Sequence, residues 1–201
     1  DAHPVATLLI GRLNYRTGEL LDIPAITAAG HEIGATVGWD LAHAAGNVPL
    51  ALHDWDVDFA AWCTYKYLNS GPGAIAAAFV HERHLDDRSI PRLEGWWGTD
   101  LATRFEMRPV SDPPPTAEAW VISNPSILAM APVRASVAIF DAVGMPALRA
   151  RSLRLTGYLR ALLDAVGPRI GVTVITPRDP LAHGAQLSLR VGVDAARPQF
   201  R

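Results

Sequence analysis

The chain has 201 residues, of which 49% are hydrophobic and 19% charged, with a net charge of −2 and a mean hydropathy of +0.13. That is enough apolar material for one large domain, or for one domain and part of another, and scattered arginines in a near-neutral balance argue against a nucleic-acid surface or an anionic membrane face. No apolar run reaches the roughly 20 residues needed to span a bilayer, Asp1-Ala2-His3-Pro4 has no basic-then-apolar signal pattern, and the single cysteine, Cys63, excludes an internal disulfide and fits a reducing, cytoplasmic setting.

Val5 to Ile10 reads as a buried strand, and Asn14 to Glu19 as a turn. Asp22 is placed to cap a helix with Pro24 in its first turn, running through Ile26 to about Ile33 and stopping at Gly34. Ala35 to Trp39, Val57 to Cys63 and Ala74 to Val80 are three more short apolar runs, with a helical turn or loop from Val48 to Asp54. Runs of this kind, separated by helices or loops, predict an α/β fold with a mainly parallel sheet. Pro91 to Pro115 is loop-rich and contains Trp96-Trp97, two indoles flanked by glycines that suit a pocket wall or an interface. Ser123-Asn124-Pro125 marks a helix start; the helix runs from Ser126 to about Val143, with Gly144 as its stop. A second helix spans Pro146 to Val166, with Leu148, Leu155, Leu159 and Leu162 at helical spacing. Val172 to Ile175 and Gln186 to Val191 alternate like strands of a smaller α+β unit. A domain change near Gly144 divides the chain into 1–144 and 145–201, and strand patterns without capping elements at both ends read as a piece of a longer polypeptide.

The chemistry is concentrated around Lys66. The chain carries seventeen arginines and this one lysine. A guanidinium does not deprotonate in proteins, whereas a desolvated amine does so and can attack an aldehyde. Lys66 stands just beyond the third strand, Asp40 ends the second with His43 close behind, and Asn69-Ser70-Gly71-Pro72-Gly73 is a small-residue loop that a ligand can approach. In open α/β sheets ligands bind outside the carboxyl ends of strands. A lysine and a carboxylate on neighbouring strand ends suit pyridoxal phosphate: the amine attaches the cofactor and the carboxylate keeps its pyridine nitrogen protonated. Taken singly, Asp40 also reads as a loop cap, His43 as a core histidine and Tyr65 as packing; their joint spacing with the lone lysine singles them out.

Trp39 to Asn47, His53-Asp54-Trp55 and Trp62 to Asn69 together resemble the kynureninase family. The similarity continues through Tyr15-Arg16-Thr17-Gly18, Gly95-Trp96-Trp97-Gly98, Thr103-Arg104-Phe105, Ile122-Ser123-Asn124-Pro125 and Leu155 to Leu159. The resemblance implies an aspartate-aminotransferase-like fold of type I, with residues 1–144 the C-terminal part of the large cofactor-binding domain and 145–201 part of the small domain. It implies pyridoxal 5'-phosphate, a homodimer with a shared site, and hydrolysis of L-kynurenine or its 3-hydroxy form to an anthranilate and L-alanine, in tryptophan catabolism towards NAD. Lys66 would be the Schiff-base lysine and remove the Cα proton. Asp40 would pair with the ring nitrogen, and His43 would lie beside the cofactor. Tyr65 would reach its phosphate and serve in proton transfer. Trp96 and Asn124 would lie near phosphate and substrate ring across the dimer interface.

The chain also departs from the family pattern. Nothing before Asp1 corresponds to the family's phosphate loop or ring-stacking aromatic, Gly11 stands where some members carry a polar side chain, and the arginine that binds the substrate carboxylate is not assignable to Arg190, Arg197 or Arg201. The 201-residue chain alone is therefore expected to bind cofactor weakly and turn over little substrate. Alternatives are another fold-type-I enzyme, such as a cysteine-desulfurase-like lyase, or a non-catalytic fragment. Cys63, in an apolar strand close to Lys66, argues against the mobile nucleophile that a desulfurase needs. No metal is expected: His81-Glu82-Arg83-His84 reads as a polar surface turn. Arg104 reads as one half of a structural salt bridge, and Arg12, Arg16 and Glu19 as a solvated mixed-charge loop.

Overall fold

A computed structural model describes residues 5–192; Arg197, Arg201 and the outer ends of both expected domains lie outside the described residues. Its centre is a four-stranded sheet of β1 (Thr7–Gly11), β2 (Thr36–Asp40), β3 (Phe59–Trp62) and β4 (Ala77–Val80), in that spatial order. β1 pairs with β2 and β2 with β3 in parallel, while β3 and β4 run antiparallel. The four expected strands are present, β1, β3 and β4 shorter than their apolar runs and β2 shifted by one residue, and the sheet is mainly parallel as predicted.

Helix α1 (Ile23–Glu32) connects β1 to β2. Asp22 caps it by accepting from Ala25 N at 3.1 Å, and Gly34 leaves it at φ +76. Its buried residues Ile23, Thr27 and Gly30 press on β2, where a Cβ at Gly30 would lie 2.4 Å from Val37 Cγ2. Trp39 is fully buried, and its indole N–H donates to Thr27 Oγ1 at 3.0 Å. Ile23, Val37, Trp39, Leu41, Ala44, Val48, Val57 and Ala60 form the core. Cutting a side chain of this size back to alanine costs about 3–5 kcal/mol.

The long helices are α2 (Ile127–Val143) and α3 (Met145–Val166). Pro125 lies outside α2, because Ser126 takes the N-cap position, and it does so without a side-chain bond; the expected cap at Ser123-Asn124 moves to Ser126, and the helix begins one residue later than expected. The leucine stripe of α3 does not form a core among the described residues: Leu155, Leu159 and Leu162 are 58%, 46% and 45% exposed. α2 is likewise bare, with Ile127, Leu128 and Ile139 at 79%, 86% and 63%. Beyond α3, β5 (Val172–Val174) and β6 (Leu189–Val191) form a separate antiparallel pair. Among the described residues no single helix is long and apolar enough to cross a membrane.

Candidate active site

Three parallel strands deliver the site. β1 ends at Gly11 and leads to Tyr15, β2 ends at Asp40 and leads to His43, and β3 ends at Trp62 and leads to Lys66. Because the strands run the same way, all three exits open on one edge of the sheet, where a cavity of about 520 Å³ is lined by Asp40, His43, Lys66, Tyr15, Arg16 and neighbouring residues. Lys66 Nζ stands 3.1 Å from His43 Nε2. Asp40 is exposed to the cavity and accepts from Ala42 N at 2.8 Å.

The two loops that carry His43 and Lys66 meet at Gly46. A Cβ there would lie 2.8 Å from Tyr67 C and O, and Gly46 has φ +79, so only glycine lets the loops close on each other. The lysine loop is fixed from beneath by Thr64 Oγ1 donating to Ile75 O at 2.6 Å and Ser70 N to Thr64 O at 3.1 Å. Ser136 Oγ of α2 donates to Leu68 O.

An ammonium only donates, so His43 Nε2 accepts from Lys66 and the ring carries its proton on Nδ1. That Nδ1 is buried and has no partner among the described residues. Burial first, and then the Lys66 charge, push the His43 pKa below the ordinary histidine range, against a smaller pull from Asp40. The donor set is an amine, an exposed carboxylate and an imidazole with one unpartnered N–H around a single cavity. It fits a ligand bearing a carbonyl carbon, a basic ring nitrogen and polar substituents.

The other expected site residues are placed differently. Tyr65 is 51% exposed, and its ring lies 5.8 Å from Lys66 Nζ without a hydrogen bond between them. Trp96 and Asn124 line a second cleft, of about 940 Å³, with Trp97, Met130 and Arg134. They are not brought into the Lys66 cavity within this chain. Tyr15 and Arg16 also line that cavity; Arg16 is exposed, as expected of a solvated loop. The signal was their position directly after a parallel strand. Cys63 is half-buried, with Sγ 3.8 Å from Ala42 O.

Arg104 has no carboxylate partner among the described residues, so the expected salt bridge is replaced. It stacks 4.4 Å over the Trp97 ring and donates to Trp97 O at 2.7 Å and Thr99 O at 3.0 Å. A planar guanidinium does both at once. His81 and His84 belong to a polar network at the opposite, amino edge of the sheet. Its centre is Asp58, which accepts from Val37 N at 2.7 Å, His31 Nε2 at 2.8 Å, His84 Nε2 at 2.7 Å and Arg83 Nη2 at 2.5 Å. His53 joins its rim, stacked on His81 at 4.9 Å between centroids and 3.2 Å from Glu82. Among the described residues no group of three or more His, Cys, Asp or Glu side chains is placed to hold a metal ion.

The α/β frame, with its mainly parallel sheet and a second small sheet, is the fold of the pyridoxal-phosphate-dependent enzymes of type I. The apo cysteine desulfurase of Thermococcus onnurineus superposes with a TM-score of 0.72 at 18% identity, covering 93% of this chain and 44% of that one. A C-DES mutant with glycine covalently linked to its PLP cofactor gives a TM-score of 0.74 at 18% identity, covering 90% and 46%. In sequence the chain is a homologue of the kynureninases over the stretch it spans. It is 68% identical to the kynureninase of Salinispora tropica over 98% of its own length and 46% of that protein, and 55% identical to that of Myxococcus xanthus over 94% and 44%. The kynureninase C-terminal domain family matches residues 148–199. The chain thus spans a little under half the length of the curated relatives it matches.

Proposed function

We propose that the whole protein hydrolyses L-kynurenine, or 3-hydroxykynurenine, with water to anthranilate, or 3-hydroxyanthranilate, and L-alanine, using pyridoxal phosphate held on Lys66. The observation that carries this reading is the placement of the chain's single lysine 3.1 Å from His43, in one cavity with Asp40, within a sequence 68% identical to a kynureninase. When bound, the cofactor supplies an electrophilic carbon for amines and a pyridinium ring that draws electrons from the α-carbon.

The residues of this chain divide the work. Lys66 would hold the cofactor, and its amine would take the proton from the substrate Cα. Neutral His43 accepts from Lys66 Nζ and keeps the amine aimed into the cavity. The Asp40 carboxylate would keep the ring nitrogen protonated, without which the ring would draw electrons poorly. Tyr65 would hold the cofactor phosphate and relay protons. Trp96 and Asn124, which line the second cleft, serve the site of a second copy across a homodimer interface formed around the bare faces of α2. Residues 1–144 belong to the large domain and 145–201 to the small one. The setting is the cytoplasm, in tryptophan catabolism. A desulfurase-like reaction is not favoured: Cys63 is half-buried, with its Sγ 3.8 Å from Ala42 O at the end of β3.

The test is to load the full-length protein with pyridoxal phosphate, reduce with borohydride, map the adduct by mass and assay both substrates. An adduct at Lys66 with formation of an anthranilate supports the reading. A folded protein without an adduct at Lys66 sinks it.

A further inference from the structure

A second set of contacts reaches the same strand exits from far along the chain. Leu20 N donates to Ala182 O at 2.9 Å, Gly184 N to Gly18 O at 3.2 Å and Gln186 Nε2 to Tyr15 O at 2.6 Å. Asn47, only 4% exposed, faces both ways: its Oδ1 accepts from Ala185 N at 2.9 Å, and its Nδ2 donates to His43 O at 2.9 Å. The fit leaves no slack. A Cβ at Gly184 would lie 2.5 Å from Leu13 Cδ1 and 2.7 Å from Asn47 Nδ2, and one at Gly18, where φ is +77, would lie 3.0 Å from Gln186 O. Residues 184–186 are therefore wedged between the loop that carries Tyr15 and the loop that carries His43.

Two side-chain amides thus hold the main-chain carbonyls of two residues of the Lys66 cavity. A held carbonyl fixes the origin of its side chain. For His43 this matters directly, because Nε2 accepts from Lys66 Nζ, and among the described residues Nδ1 has no partner to keep the ring in place. For Tyr15 it acts through the ring, whose centroid lies 6.3 Å from that of His43. We propose that Asn47 and Gln186 are positioning residues, through which the C-terminal segment 184–186 sets the orientation of His43 and Tyr15 and so the engagement of Lys66. The bearing of this on catalysis rests on the function proposed above; the geometry itself does not need the cofactor.

The test uses the full-length protein without cofactor and two near-isosteric changes. Gln186→Met removes the donor to Tyr15 O. Asn47→Asp keeps the acceptor for Ala185 N and removes the donor to His43 O. The readouts are the tautomer of His43, from selective ¹⁵N-histidine labelling, and the rate of reductive methylation of Lys66, from peptide masses. In the unaltered protein His43 is protonated on Nδ1 and Lys66 reacts slowly. Asn47→Asp is expected to bring in the Nε2-protonated tautomer and to speed Lys66 methylation by about threefold or more, the equivalent of one modest hydrogen bond. Gln186→Met is expected to do the same to a smaller extent, about twofold. A variant that folds as the parent by circular dichroism and melting, yet leaves both readouts unchanged, overturns the role of the residue it replaces. The two variants are independent, so failure of one to fold leaves the other to decide. Because neither readout involves pyridoxal phosphate, an unaltered protein that takes up none would overturn the proposed function without touching this result.

Discussion

Lys66 and His43 come from loops after different strands, yet their nitrogens stand 3.1 Å apart, because Gly46 allows one loop to press on the backbone of the other. The contact joins a donor-only ammonium to an imidazole that burial keeps neutral. It gives the amine an acceptor that does not compete for it permanently, as a carboxylate would.

Replacing Lys66 by arginine keeps a cation and removes the amine. Lys66→Arg is expected to abolish the borohydride-trapped cofactor adduct and to lower kynurenine turnover by at least about 10²–10⁴-fold, the range for losing a positioned proton-transfer group. Steady-state assay of the full-length variant, with a melting curve to establish folding, measures it. Turnover near the parent's rate would remove Lys66 from the chemistry.

Gly46→Ala forces a Cβ to within 2.8 Å of Tyr67 C and O at a backbone conformation that suits glycine. A loss of about 1–3 kcal/mol is expected from strain at such a position. Urea unfolding is expected to show a lower midpoint with an unchanged slope. A midpoint equal to the parent's would mean that the loops part at no cost.

Asp58 is the buried anion of the amino edge. Burial alone would push its carboxyl pKa up, but bonds from Val37 N, Arg83, His31 and His84 outweigh burial and hold it well below the usual carboxylate range. A depressed folded value means that stability is fully present above the unfolded value, about 3.9, and is lost as pH falls from there towards the folded value. Asp58→Asn is expected to cost about 2–4 kcal/mol at pH 7, and the gap from the parent is expected to narrow as pH drops below about 4. Urea titrations at several pH values measure both. A gap that stayed constant down to pH 2 would show that the ionised form contributes nothing.

Arg104→Lys removes a planar cation from the Trp97 face and the paired donation to Trp97 O and Thr99 O. The expected loss is about 1–2 kcal/mol, accompanied by a red shift of tryptophan emission as the indoles gain water. Unchanged stability and emission would show that a lysine ammonium satisfies the same carbonyls.

Much of this was legible in the chain itself, because the signals were local. Four short apolar runs gave the strands, Asp22 and Pro24 gave the start of α1, and a lone lysine after a strand pattern pointed to the chemistry together with Asp40 and His43. Local propensity and backbone chemistry act within a few residues, and they determined these features. The tertiary structure decided what depends on distant partners. It put Trp96 and Asn124 in a different cleft from Lys66, gave Arg104 an indole and two carbonyls in place of a carboxylate, and left the leucines of α3 bare where helical spacing suggested a core. It also brought Gln186 to Tyr15 and Ala185 to Asn47, contacts between residues 171 and 138 positions apart. No spacing rule reaches that far; such pairs are set only when the sheet and its loops have closed and each buried carbonyl must find a donor.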